Sequence, residues 1–295
     1  MTEPWMTRAR VPRKMAERAR EIAAGRLSPV VPRDAATVML LRQISGVEAL
    51  LLRRTAALEF APGAYVFPGG SVDECDTDPE IGWAGPAPAD FAAWLGTVPE
   101  HARALICAAV RETFEECGVL LAGPSPTAMV GDSAALAEDR HSLLQGSTSF
   151  AEVLSRRGLV LRADLLTPWA RWITPEPSPR RFDTWFFAAA LPPGQAAALA
   201  APAEQEGRAE QAGRADSGES DSATWLRPSA ALEAARAGEI TLLPPTAATL
   251  GELAAHQDMA RILAQRRVIG PLLPKVMIED DRAWLTMPPA PEPRQ

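Results

Sequence analysis

One nine-residue stretch limits what this chain can be more than any other: Arg111-Glu112-Thr113-Phe114-Glu115-Glu116-Cys117-Gly118-Val119. On a helix Glu112, Glu115 and Glu116 stand at i, i+3 and i+4 and project from one face. Ile106, Val110, Phe114 and Cys117 fall on the opposite face at core spacing. Gly118 follows where a helix is expected to end in a left-handed residue. Like charges so placed repel, and a hard divalent cation with oxygen ligands is one way to hold them together. A solvated acidic face, with Arg111 bridging to Glu115, is the other. The stretch alone leaves both open.

Upstream runs Tyr65-Val66-Phe67-Pro68-Gly69-Gly70-Ser71-Val72-Asp73-Glu74-Cys75-Asp76. Phe-Pro-Gly-Gly leaves a strand and turns sharply, and its glycines admit close approach of backbone to a ligand. Gly70, five residues, acidic Asp76 and later Arg-Glu-x-x-Glu-Glu-x-Gly together resemble the Nudix box. That box reads Gly, five residues, Glu, seven residues, Arg-Glu, an apolar residue, any residue, Glu-Glu, any residue, Gly, an apolar residue. Three departures stand out. Asp76 replaces a glutamate, Thr113 replaces an aliphatic residue, and thirty-four residues, 77–110, occupy the place of seven. An insertion entering at the loop before the helix is tolerable, because loops absorb length at low entropic cost. The coenzyme A diphosphatase branch has such an interrupted box. Glu48–Thr55 leading through Phe60–Gly63, and Trp172–Glu176 followed by Arg180–Thr184, are similar to the same branch, so the resemblance spans roughly residues 33–275.

The resemblance implies an α/β fold, a Nudix-type α/β/α sandwich around a mixed sheet with a helical insertion in the box. It implies a Mg²⁺- or Mn²⁺-dependent hydrolase of a nucleoside diphosphate linked to another group. Glu112, Glu115 and Glu116 match the metal-binding and catalytic glutamates, with Glu112 a ligand or a water-orienting base. Arg111 matches the arginine that holds them, and Asp76 a peripheral, structural position. Arg54, Phe67, Gly69, Gly70 and Arg181 are the expected substrate contacts, with Arg53 and Arg180 as neighbours. Guanidinium forks suit phosphate oxygens, although surface ion pairs explain the arginines equally well. A further carboxylate from outside the box could be Glu219 or Asp221, for which a solvated loop acid is the slightly favoured alternative. The expected substrate is coenzyme A or acyl-CoA, giving 3′,5′-ADP and (acyl-)phosphopantetheine. An ADP-sugar, a dinucleotide, an NAD-type substrate, or a non-catalytic nucleotide-binding role are the alternatives. A homodimer is left open.

Composition sets bounds. With 47% hydrophobic and 23% charged residues, 295 residues describe an ordinary globular protein. A net charge of −7 argues against a broad nucleic-acid surface. Cys75, Cys107 and Cys117 make no zinc pattern, suggest a reducing compartment and are expected to pack as small side chains. His101, His141 and His256 are too scattered for a triad. No run reaches the ~18 apolar residues of a membrane span, no secretory segment is evident, and a cytoplasmic protein without membrane or nucleic-acid partners is expected.

Along the chain, 1–32 reads as a basic extension with a helix near 12–25, and 33–275 as the Nudix domain. Ala35–Leu41 and Val47–Arg53 read as a strand pair. The insertion, 77–104, carries Trp83, Phe91 and Trp94 and reads as a small helical lid. Its aromatics could line an acyl channel, but packing on one another is the commoner fate. The box helix should run from about Pro99, followed by helical cover over 124–160 and strands near 169–174 and 182–191. Residues 200–222 read as a mobile loop, 224–228 as a strand, 229–237 and 246–266 as helices, and 276–295 as a terminal hairpin and tail.

Overall fold

In the computed structural model, which describes residues 9–58, 61–199, 220–279 and 282–287, the chain opens with a short strand β1 (Ala9–Arg10) and helix α1 (Arg13–Ala23). Strands β2 (Arg33–Gln43) and β3 (Val47–Arg54) form the expected antiparallel pair, with Leu41 opposite Ala49. Val38, Leu40, Leu50 and Leu52 face one layer of the molecule, and Met39, Leu41, Ala49 and Leu51 the other. Burial on both faces is why these strands read as continuous apolar runs.

Past their pairing, β2 and β3 diverge. Strand β4 (Ala64–Val66) pairs with β3, Val66 opposite Leu52, while β5 (Gly69–Ser71) pairs with β2, Gly70 opposite Ala36. Phe67-Pro68 steps across the fork, and the Pro68 carbonyl accepts from the Val38 amide at 2.9 Å. A 3₁₀ turn (Glu74–Thr77), strand β6 (Trp83–Ala84), helix α2 (Pro88–Leu95) and helix α3 (Pro99–Cys117) follow. Then come β7 (Ala122–Gly123), α4 (Ala137–Leu144), α5 (Phe150–Arg157) and β8 (Val160–Arg162). β9 (Thr167–Ile173) and β10 (Phe182–Ala190) lie at the two predicted strand positions. The chain continues through β11 (Ser220–Leu226), α6 (Pro228–Arg236), β12 (Thr241–Leu242), α7 (Pro244–Ala254), α8 (Met259–Leu263) and β13 (Pro271–Leu272). It closes with the hairpin β14 (Lys275–Glu279) and β15 (Arg282–Thr286).

The main sheet is mixed, ordered β12-β4-β3-β2-β10-β9-β13, with β11 on β3 and β5 on β2. At its centre β10 runs parallel to β2, Phe182 opposite Arg33, and antiparallel to β9. α3 packs on one face beneath α2, α4 and α5, and residues from α6, α7 and α8 build the core on the other. This is the expected α/β/α sandwich. α3 is buried almost all round, because the insertion and the 124–160 segment wrap the side that the sheet leaves open. No helix among the described residues is long and apolar enough to cross a membrane.

Several boundaries differ from the sequence reading. The insertion holds one helix and a strand, β6, that pairs with β8 from the cover segment, and its residues 99–104 already belong to α3. Residues 246–266 are two helices rather than one, because Asp258 caps a new start by accepting from the Ala260 amide at 2.9 Å. Of the segment read as a mobile loop, 200–219 lies outside the described residues, and Ser220–Ser222 begins β11. Strand β1 pairs with β15, so described parts of the N-terminal extension and the C-terminal hairpin share a small sheet.

Candidate active site

The site is built where α3 passes the β4–β5 fork. Proline at the first helical position needs no amide partner, and Gly118, at φ +70°, ends the helix in the left-handed region. Arg111 projects toward the 3₁₀ turn and is 3% exposed. Its Nε and Nη2 grip the fully buried Asp76 at 2.8 and 2.9 Å. Nη1 donates to Glu112 at 2.9 Å and Glu115 at 3.2 Å, and Nη2 also donates to the Ser71 carbonyl at 2.9 Å. All five donors are thereby engaged. Asp76 closes the turn as well, accepting from the Asp73 amide at 2.8 Å. The residue that departs from the family's glutamate therefore anchors the arginine.

The glycines meet the glutamates from the other side. The Gly69 amide donates to Glu116 Oε2 at 2.9 Å. A Cβ on Gly70 would fall 2.4 Å from Glu112 Oε1, and one on Gly69 would fall 2.4 Å from the Ala36 carbonyl. At 69 the obstacle is backbone, so glycine is required for space; at 70 it is the Glu112 carboxylate, which a Cβ would displace. Burial pushes the Glu112 carboxyl up to about 8, Glu115 and Asp76 adding to the rise and Arg111 opposing it. Burial raises Glu115 too, again against Arg111.

Asp76, Glu112 and Glu115 share one guanidinium, so this buried cluster is in negative surplus when ionised. Carboxylate oxygens on one helix face are the donors that a hard divalent cation takes. By donor type Glu112, Glu115 and Glu116 fit such an ion. Among the described residues no three acidic, histidine or cysteine side chains converge as a ready-made cage.

The other expected site residues are distributed more widely. Phe67 is 3% exposed and packs with Met39 and Leu51 in the core on the sheet face away from α3. Arg181 is buried and donates to the carbonyls of Thr174 at 3.0 Å and Val30 at 2.7 Å, tying the N-terminal segment to the β9–β10 turn. Arg54 ends β3 opposite Ser220 and lines, with Arg53, Tyr65 and Asp221, a cavity of about 280 Å³ that no glutamate of α3 borders. Asp221 pairs with Arg53 at 2.6 Å, and Glu219 lies outside the described residues. Arg180 is exposed. His101 bonds Thr97 through Nδ1 at 2.7 Å, His256 stacks edge-on against Trp169, and His141 is exposed on α4. Burial pushes the Cys107 and Cys117 thiols up to about 12, which suits packing rather than reactivity. Cys75 is half-buried in the 3₁₀ turn. Trp83, Phe91 and Trp94 pack edge-to-face on one another, at 6.2 and 5.1 Å between centroids, and Phe91 is fully buried.

One residue at the site has no sequence signal. Arg140, on α4, donates from Nε and Nη2 to the Glu115 carbonyl at 3.0 and 2.9 Å. Its spacing from the box matches no motif.

A carboxylate-bearing helix held by a buried arginine against a glycine fork, inside an α/β/α sandwich, is the architecture of Nudix proteins. The chain belongs to the family described as the NUDT19 Nudix domain, whose model matches residues 89–253. That stretch takes in all of α3 and begins downstream of Gly69-Gly70. The chain is 28% identical over 264 residues to the acyl-coenzyme A diphosphatase NUDT19 of Gallus gallus, covering 72% of this chain and 65% of that protein. It is 32% identical over 183 residues to the Homo sapiens protein of the same name, covering 50% and 48% respectively. The chain thus spans between about half and two thirds of the length of these relatives. Among solved structures it resembles a NUDIX hydrolase from Alicyclobacillus acidocaldarius, with a TM-score of 0.62 and 26% identity, covering 82% of this chain and 99% of that one.

Proposed function

We propose that this chain is a Mg²⁺- or Mn²⁺-dependent diphosphatase acting on coenzyme A or an acyl-CoA. Water adds to one phosphorus of the pyrophosphate and the bridging P–O bond breaks, leaving 3′,5′-ADP and (acyl-)phosphopantetheine. The observation that supports this reading most is the Arg111 cluster: two buried glutamates on one guanidinium, pressed against Gly69-Gly70. When bound, a divalent cation would neutralise charge on the phosphates and lower the pKa of the attacking water.

The remaining tasks fall to the chain. Glu112, Glu115 and Glu116 would hold the cation. Arg111 and Asp76 keep Glu112 and Glu115 from swinging away while no cation is present. Gly69 and Gly70 let the fork lie directly against Ala36 and the Glu112 carboxylate with no side chain between them. The raised carboxyl of Glu112 also makes it a group that can hold a proton near neutral pH. The substrate assignment rests on the names of the relatives. A panel of coenzyme A, acyl-CoA, 3′-dephospho-CoA, ADP-ribose, NADH and a dinucleoside polyphosphate, assayed with Mn²⁺ and with excess EDTA, tests it. Higher kcat/KM for coenzyme A or an acyl-CoA, abolished by EDTA, is expected. A clear preference for ADP-ribose would move the chain to another diphosphate, and full turnover in EDTA would end the metal-dependent reading.

A further inference from the structure

Glu115 and Glu116 sit in the last turn of α3, the part of a helix whose carbonyls lack intrahelical partners and which frays first. A site built there is only as precise as whatever ties that turn down. Gly118 returns its amide to the Phe114 carbonyl at 2.9 Å, and the Ala198 amide reaches the Cys117 carbonyl at 2.9 Å. The Glu115 carbonyl is held by a side chain from another element. Arg140 gives it two donors, and its Nη1 donates to the Ala198 carbonyl at 3.0 Å.

We infer that Arg140 is a positioning residue, which clamps the C-terminal turn of α3 so that Glu115 and Glu116 keep the placement a divalent cation needs. The inference rests on the metal-dependent reading of the site. Three features favour this role over an incidental surface contact. Every hydrogen bond of the half-buried guanidinium goes to a carbonyl, and among the described residues no carboxylate stands within ion-pair distance of it. A cation at a helix C-terminus is favoured by the peptide dipoles that end there. The fit is close, since a Cβ on Gly118 would lie 2.9 Å from Arg140 Nη1. The preceding residue, Asp139, is buried and accepts from Arg156 at 2.5 Å and Arg157 at 2.7 Å on α5. Asp139 and Arg140 thus tie α4 to α5 and to α3 by separate contacts.

The test compares the full chain with Arg140→Met, Arg140→Lys and, as a control, Arg156→Met, which loosens α4 from α5 without touching α3. Three quantities are measured: Mn²⁺ affinity by calorimetry on the metal-free protein, amide exchange at 115–118, and kcat and KM on the best diphosphate. Arg140→Met is expected to weaken Mn²⁺ binding about tenfold or more, to speed exchange at 115–118, and to lower kcat more than it raises KM. Arg140→Lys should recover part of each, and Arg156→Met should leave Mn²⁺ affinity within about twofold of wild type. Wild-type Mn²⁺ affinity in a folded Arg140→Met would overturn the inference, as would an equal loss in Arg156→Met. If wild type itself neither binds Mn²⁺ nor cleaves any diphosphate, the functional reading fails instead. Exchange at 115–118 then still decides whether Arg140 pins the helix end.

Discussion

Arg111 commits all five donors to holding carboxylates and a turn, and this explains why a glutamate cluster can be buried before any cation arrives. The arrangement has a pH signature. Glu112 titrates at about 8 in the folded chain against an ordinary 4.5. Between those values the folded state keeps a proton that the unfolded state has lost, so stability falls as pH rises through that window. The metal-free protein is therefore expected to melt at a lower temperature near pH 8 than near pH 5, and Mn²⁺ to raise the melting temperature more at the higher pH. A scanning-calorimetry series with EDTA and with Mn²⁺ checks this, and a melting temperature rising with pH in EDTA would contradict it. Glu115→Gln and Glu116→Gln should each abolish most turnover while far-UV circular dichroism stays native, because each removes one ligand charge and little volume. The role of Asp76 was only half legible in the sequence. Its acidity marked it as part of the box, but nothing in the spacing showed that the shorter side chain would be the bidentate anchor of Arg111.

At the scale of elements, the fork between β2 and β3 sets the two glycines apart. Alanine at position 69 meets backbone, the Ala36 carbonyl, which cannot give way; alanine at 70 meets the end of the Glu112 side chain, which can. Gly69→Ala is expected to cost stability, read as a lower denaturation midpoint. Gly70→Ala should keep the fold and lose Mn²⁺ affinity, read by calorimetry. Identical effects of the two would show that the fork does not divide the labour this way. Elements with a strong period could be read in advance: the β2–β3 pair from its apolar runs, α3 from Pro99 to Gly118, and β9 and β10 from their β-formers. What could not be read depends on partners distant in sequence. The two-residue strands β6 and β12 exist because another segment lies beside them. The break between α7 and α8 turns on one capping aspartate inside a sequence whose helical spacing continues through it.

Over the whole molecule, the insertion thickens the layer above α3 instead of forming a detached lid. Its aromatics pack on each other with Phe91 fully buried. Phe91→Ala is expected to cost about 3–5 kcal/mol of stability while leaving the ratio of activities on coenzyme A and a long-chain acyl-CoA unchanged. A shift in that ratio would instead make the aromatics part of an acyl path. The parallel pairing of β10 with β2 carries a consequence for how the protein is made. The two central strands of the sheet are the second and tenth in chain order, and most of the sandwich is synthesised between them. At about 5–20 residues per second, the apolar edge of β2 waits on the order of ten seconds for its neighbour. For that interval β2, though paired with β3 and β5, presents an open edge where β10 will lie, the kind of edge on which chains aggregate. Fragments ending before Phe182 should therefore be far less soluble than the full chain, and a chaperone that shields such edges has its natural moment of action before the second half emerges.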